Sequence, residues 1–255
     1  MSESKYSAPA LEKGLDILEF LAAQPVEQSQ ADIAQALGRT QSEIYRMLSC
    51  LEARGYVIKG ESSGCYRLSL RVFELGHQQS TTSLLRRAAR LPMDTLAEEI
   101  GQACHLSVEH GASLLILLES MPRRRICLAV GEGTILPLLQ TASGKVLLSR
   151  MDDEEIERIL GLDEDYASRS EKWKKMLAQS IADARRDGYV VTESELTVGA
   201  QDVSVPIGVA GTDTSATLAI SSLQSNTSRK AWDKTVKAVR RCAAEINSNL
   251  GIAST

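Results

Sequence analysis

The chain reads as an α+β protein of two domains joined by a helix. Three observations carry that reading. Residues 29–54 hold two short amphipathic runs around a turn glycine, residues 75–83 form a polar break, and beyond Gly101 short β-favouring runs alternate with helical ones. At 255 residues and 43% hydrophobic content, the chain is long enough to bury two separate cores. The expected boundaries are 1–76 for the first domain, 77–101 for a linker helix and 102–255 for the second domain.

In the first domain the spacing of small and apolar residues is that of a helix-turn-helix. Such a motif crosses two short helices sharply, which requires a small residue at the crossing, a glycine in the turn and an aliphatic residue locking the second helix. Ala34, Gly38 and Ile44 meet these needs. Ser29, followed three residues on by Asp32, marks the start of the first helix, and Thr40 is the expected cap of the second. Ile33 and Leu37 face inward from the first helix, and Ile44, Met47, Leu48 and Leu51 from the second. The outer side of the second helix then presents Arg39, Thr40, Gln41, Ser42, Tyr45, Arg46 and Ser49, whose donors suit base edges and phosphates in a major groove, Arg46 foremost. Gly55 closes that helix. Residues 56–59 and 65–70 are β-favouring runs around a turn-rich segment at 60–64. A helix-turn-helix followed by a hairpin is a winged helix, and this wing offers Lys59 and Arg67 to a DNA backbone.

Charge gives a mixed result, since residues 1–76 hold eight Lys or Arg against ten Asp or Glu. A net charge of −4 excludes a protein that coats nucleic acid indiscriminately. Over residues 39–71, however, six basic residues (Arg39, Arg46, Arg54, Lys59, Arg67, Arg71) face three acidic ones, so the positive field is confined to the reading helix and the wing. Glu43 sits awkwardly at the start of that helix, where it repels phosphate unless it accepts from a cytosine amine or pairs with Arg39. One reading helix contacts few base pairs, so selectivity calls for two half-sites. A homodimer on a palindromic double-stranded operator is therefore expected.

After the polar break, Leu84, Leu85, Ala88, Leu91, Leu96 and Ile100 recur at helical spacing, with Pro92 expected to kink or restart the helix. Arg86, Arg87 and Arg90 read as its solvated face, with contact to DNA phosphate as the alternative. Strands are expected at 103–110, 113–119, 125–130, 189–193, 202–209 and 214–222, and helices at 141–150, 152–160, 171–186 and 228–250. No stretch of eighteen apolar residues exists, and MSESKYSAPA lacks the basic and apolar regions of a signal peptide, so a cytoplasmic protein without membrane contact is expected. The five cysteines, at 50, 65, 104, 127 and 242, are scattered singly and give neither a disulfide framework nor a zinc site. His77, His105 and His110 have no metal-ligand spacing. Cys104 and His105 are neighbours on a strand and so point to opposite faces, which rules out a nucleophile–base pair. Ser143-Gly144-Lys145 lacks the earlier glycine of a phosphate loop, Leu139 standing in its place. No catalytic residue, metal or cofactor is expected.

The segments IYRMLSCLEARGYV at 44–57, TASGKVLL at 141–148 and GYVVTESELTVGAQDVSVPI at 188–207 resemble the IclR family of bacterial transcriptional regulators, and the likeness runs over residues 10–251. The resemblance implies a GAF-like C-terminal domain that binds a small organic effector, in dimers that often pair into tetramers. Where the family pattern carries an Asp or Ser, then a Glu, then a Cys, Ser or Ala, this chain has Thr192, Glu195 and Asp202. Near the pattern's end Gly208 replaces an aromatic or a His. The resemblance places the effector among Thr141, Ala142, Ser143, Gly144, Thr192, Asp202 and Ser221. Backbone N–H groups at 142–145 open a helix there and suit an anion, whereas Asp202 opposes an acid ligand. Three readings of Asp202 stand: it bonds a ligand hydroxyl or amine, it pairs with Lys145 or an arginine of 123–125, or backbone N–H donors satisfy it. The function expected is a sequence-specific transcriptional regulator controlled by a small effector. An effector-free DNA binder stays open as an alternative, as does a ligand-binding or catalytic domain carrying a non-functional winged helix.

Overall fold

A computed structural model describes residues 8–60, 62–77, 80–123, 127–223 and 229–252. The chain divides into two compact units, residues 1–79 and 80–255.

The first unit packs helices α1 (Pro9–Ala22), α2 (Gln30–Ala36) and α3 (Gln41–Ala53) against a hairpin of β1 (Val57–Lys59) and β2 (Tyr66–Leu68), followed by α4 (Arg71–His77). Both expected caps form full capping boxes, Ser29 with Asp32 and Thr40 with Glu43, each worth about 1 kcal/mol of helix stability. Gly38 ends α2 at φ +60, a left-handed turn that lets the Arg39 N–H reach back to the Ala34 carbonyl at 2.9 Å. Ile17, Leu21, Ile33, Ala34, Ile44, Leu48, Val57 and Tyr66 form one buried core. Helices α1 and α4 had no counterpart among the expected elements. The first supplies Ile17 and Leu21, without which the inner faces of α2 and α3 would meet water. Gln28 exchanges two backbone hydrogen bonds with Tyr66, at 2.9 and 2.7 Å, and so ties the wing to the segment before α2.

The second unit opens with α5 (Ser80–Ile100) and is built on six antiparallel strands in the order β5-β4-β3-β8-β7-β6. These are β3 (Cys104–His110), β4 (Ser113–Ser120), β5 (Ile135–Pro137), β6 (Val190–Glu193), β7 (Ala200–Ile207) and β8 (Ala216–Leu223). Helix α5 and the last helix, α9 (Arg229–Asn249), cover one face, burying Cys104, Leu106, Val203, Val205, Leu218 and Ile220 beneath them. The other face carries α6 (Ala142–Leu148), with α7 (Asp153–Leu162) and α8 (Glu171–Asp187) outside it around a second core of Leu138, Leu147, Ile159 and Leu177. The helix expected as a linker over 77–101 packs, from Ser80 on, against β3, β4 and α9 of this unit.

Three expectations need correction. No second helix begins at Pro92, which lies inside α5, and the Ala88 carbonyl that loses its helical donor accepts from the side-chain amide of Asn249 at 3.0 Å. No strand forms at 127–130, and 124–126 lie outside the described residues. There the Val130 N–H is taken by the Glu119 carboxylate at 2.6 Å, and the outer strand is β5, ten residues further on than expected. Arg87 and Arg90 are exposed as expected, but Arg86 and Arg90 are also engaged by other side chains and carbonyls. Both reach the Glu132 carboxylate, at 2.8 and 3.1 Å, and the β4 carbonyls of Leu117 and Glu119, clamping Glu132 and β4 to α5.

Candidate functional site

The outward side of α3 is held from beneath. Arg39, Gln41, Ser42, Tyr45 and Arg46 are exposed, and Ser49 is half-buried. Thr40 spends its hydroxyl on the cap, donating to Glu43 Oε2 at 2.9 Å and accepting from the Glu43 N–H. Glu43 does not pair with Arg39. Its partner is Lys13 of α1, with Nζ 2.6 Å from Oε1, and Arg39 lies 3.9 Å from Asp16. The Lys13 ammonium and then Thr40 hold the Glu43 carboxyl down at about 2, so it is ionised throughout the physiological range and its charge is neutralised locally. Gln30 of α2 donates to the Gln41 carbonyl at 2.9 Å, fixing the start of α3 from a second side. Arg46 and Arg54 make no ion pair with any described residue, which leaves both free for an external anion. On the wing, Arg67 is tied to Glu27 at 3.2 Å, while Lys59 lies over the Tyr66 ring at 5.4 Å.

In the second unit, three of the expected effector residues form a single cross-strand row. Thr192 of β6 pairs with Asp202 of β7, which pairs with Ser221 of β8. Because side chains alternate along a strand, this row lies on the α6 face, together with Ser204, Thr217, Ser107 and His105. Ser143 of α6 meets Ser204 at 3.3 Å, and Ser107 meets Thr217 at 2.9 Å. Burial pushes His105 down to about 4, so it is neutral at pH 7. The face is therefore a buried field of hydroxyls around one carboxylate.

That carboxylate is under-satisfied. Asp202 Oδ1 is buried and has no hydrogen-bond partner among the described residues. Burial raises its pKa, an effect opposed by the Ser221 and Ser194 hydroxyls and the charge of Lys145. Lys145 is not its ion-pair partner: the buried ammonium sits 2.7 Å from Glu195, whose other oxygen accepts from the Trp173 indole at 3.1 Å. Arg123 pairs with Glu98. Two of the N–H groups expected to hold an anion are also occupied, since Thr141 accepts from Gly144 N through Oγ1 and from Lys145 N through its carbonyl. Gly144 is required for packing, because a Cβ there would lie 1.8 Å from the Leu138 carbonyl oxygen. A cleft of about 440 Å³ opens beside this region, lined by Lys145, Trp173, Leu177, Ser180, Thr192 and Glu195. Of the seven expected effector residues only Thr192 lines it, and Trp173 was missed; its placement on the inner side of the amphipathic α8 was the available signal. Among the described residues no cluster of His, Cys, Asp or Glu could hold a metal ion, and no helix is long and apolar enough to cross a membrane.

Comparison with known proteins decides the family. The helix-turn-helix domain of IclR matches residues 10–59, and the family described as bacterial transcriptional regulator IclR, C-terminal, matches residues 78–248. The chain belongs to the IclR family of bacterial transcriptional regulators. Among its IclR relatives it is 27% identical to the HTH-type transcriptional regulator XynR of Escherichia coli K12, over 85% of this chain and 86% of that protein. It is also 27% identical to the transcriptional repressor AllR of the same strain, over 96% of this chain and 91% of that one. Its fold resembles the crystal structure of an IclR homologue from Microbacterium hydrocarbonoxydans complexed with 4-hydroxybenzoate, at a TM-score of 0.77 and 23% identity, covering 95% and 99% of the two chains. As an IclR regulator the protein binds DNA through its winged helix and carries an effector-binding C-terminal domain. Gly208 is confined by its surroundings. That residue sits at φ +75 with no room for a Cβ, which would fall 1.8 Å from the Thr214 carbonyl oxygen, and its N–H donates to Asn247 at 2.8 Å.

Proposed function

We propose that this regulator binds a palindromic double-stranded operator as a homodimer, reading each half-site with Arg39, Gln41, Ser42, Tyr45, Arg46 and Ser49 of α3. Lys59 touches the phosphate backbone from the wing, with Arg67 in a lesser part because Glu27 already neutralises it. A small effector sits against the α6 face of the second unit, over the Thr192–Asp202–Ser221 row, beside Ser143 and the backbone of 142–144. The protein is not an enzyme and acts on DNA in the cytoplasm. One observation carries the DNA reading: α3 is tied down from α1 and α2 through Lys13–Glu43 and Gln30–Gln41, while Arg46 on its outward face has no ion-pair partner among the described residues. Rigid presentation of an unpaired guanidinium is what bidentate recognition of a guanine requires. Gel retardation with the DNA flanking the protein's own gene tests it. Arg46→Ala should weaken specific binding by about 1–3 kcal/mol and relax selectivity at one base position. Equal retardation by parent and variant would overturn the assignment.

A further inference from the structure

A second, larger cleft lies on the opposite face of β6 and β7. It has a volume of about 650 Å³ and runs between the first half of α9 and the outward sides of β6 and β7. Such a volume is within the range of small-molecule sites. Its walls are apolar and partly aromatic, from Tyr189, Val191, Trp232 and Val236. At its mouth Lys237 and Arg240 stand one turn apart on α9, both exposed and neither in an ion pair with a described residue, against the single carboxylate of Asp233. Arg240 lies over the Tyr189 ring at 5.4 Å, which holds the guanidinium at the cleft. The Trp232 indole N–H is buried and has no acceptor among the described residues.

We infer that this cleft is a second ligand site and that it takes a small aromatic carboxylate. The ring packs between Trp232 and the aliphatic walls. The carboxylate meets Lys237 and Arg240 at the mouth. The α6 face has the opposite preference. It presents a lone buried carboxylate at Asp202, and its nearby cation, Lys145, is already neutralised by Glu195. Two ligands of different charge can therefore act on β6 and β7 from opposite sides.

The two tryptophans of the chain, Trp173 and Trp232, fall one in each cleft, so each site has its own fluorophore. In full-length Trp173→Phe protein, benzoate should change Trp232 emission saturably, while benzamide and benzylammonium should not. Adding Lys237→Gln and Arg240→Gln, both at exposed positions, should weaken the benzoate response at least about tenfold. In Trp232→Phe protein, benzoate should leave Trp173 emission unmoved. A silent Trp232, an undiminished response in the charge-neutralised variant, or a response confined to Trp173 would each overturn the proposal. Loss of the proposed effector seat on the α6 face would register at Trp173 alone, so the two readings fail separately.

Discussion

Replacing Asp202 by Asn should stabilise the protein at neutral pH. The side chain keeps its shape and loses a charge that burial disfavours and that no described donor satisfies at Oδ1. Asparagine still leaves a polar atom at that position, so the gain expected from Asp202→Asn is the cost of the charge over that of an unpartnered neutral atom, about 1–3 kcal/mol. For a unit the size of residues 80–255, each kcal/mol moves the midpoint by about 2–4 °C, which gives a rise of roughly 2–12 °C.

The pH dependence has a fixed sign. The folded-state pKa of Asp202 is raised above its ordinary 3.8, so between those two values the folded state binds more protons than the unfolded one. Stability contributed by this group is then greatest in acid and falls as pH rises through the folded pKa. The advantage of Asp202→Asn should be widest at pH 7 and narrow as the pH is lowered. Scanning calorimetry of the full chain from pH 7 down to pH 4, near the ordinary value of 3.8, without DNA or effector, measures it. A variant no more stable than the parent at pH 7, or an advantage that does not change with pH, would refute the reasoning.

Lys59→Ala should weaken all DNA sequences alike and reduce the slope of log affinity against log salt by about 0.9, the value of one phosphate contact, as read by anisotropy titrations at several salt concentrations. Arg67→Ala should change that slope less, because Glu27 already neutralises the guanidinium. Lys13→Ala leaves Glu43 without its cation and exposes a negative charge at the start of α3. Operator affinity should fall although Lys13 itself contacts no base, and Lys13→Arg should restore it. Gly144→Ala drives a Cβ into the Leu138 carbonyl and should destabilise the second unit by about 1–3 kcal/mol or more in urea unfolding, without altering the first unit's intrinsic fold.

The elements legible in the sequence were those whose signal is local. Ser29–Asp32 and Thr40–Glu43 specify helix starts by themselves, Gly38 specifies a left-handed turn, and Gly188 at φ +74 closes α8 where the apolar period stops. Strands β3, β4, β6, β7 and β8 announced themselves through short β-favouring runs between turn residues. What escaped depended on partners distant in the chain. A proline mid-helix is a break until a donor replaces its missing N–H, and here the donor is Asn249, on the last helix. A β-favouring run at 125–130 is a strand only if its backbone finds a neighbour, and the Glu119 side chain takes the Val130 N–H instead.

Charge pairing was the least legible property, and it decides how both candidate sites work. On sequence alone, Arg39 is a candidate partner for Glu43, and Lys145 or an arginine of 123–125 for Asp202. In three dimensions each carboxylate is answered differently: Glu43 by Lys13 from another helix, and Asp202 by no cation, because Glu195 reaches Lys145 first. The consequences are opposite in sign. Neutralising Glu43 removes repulsion from the reading helix and makes a positive DNA-facing surface compatible with a chain of net charge −4. Leaving Asp202 unanswered makes the α6 face hostile to acids and receptive to a hydroxyl or amine donor, and so directs acidic ligands to the cations of α9 on the other side of the sheet.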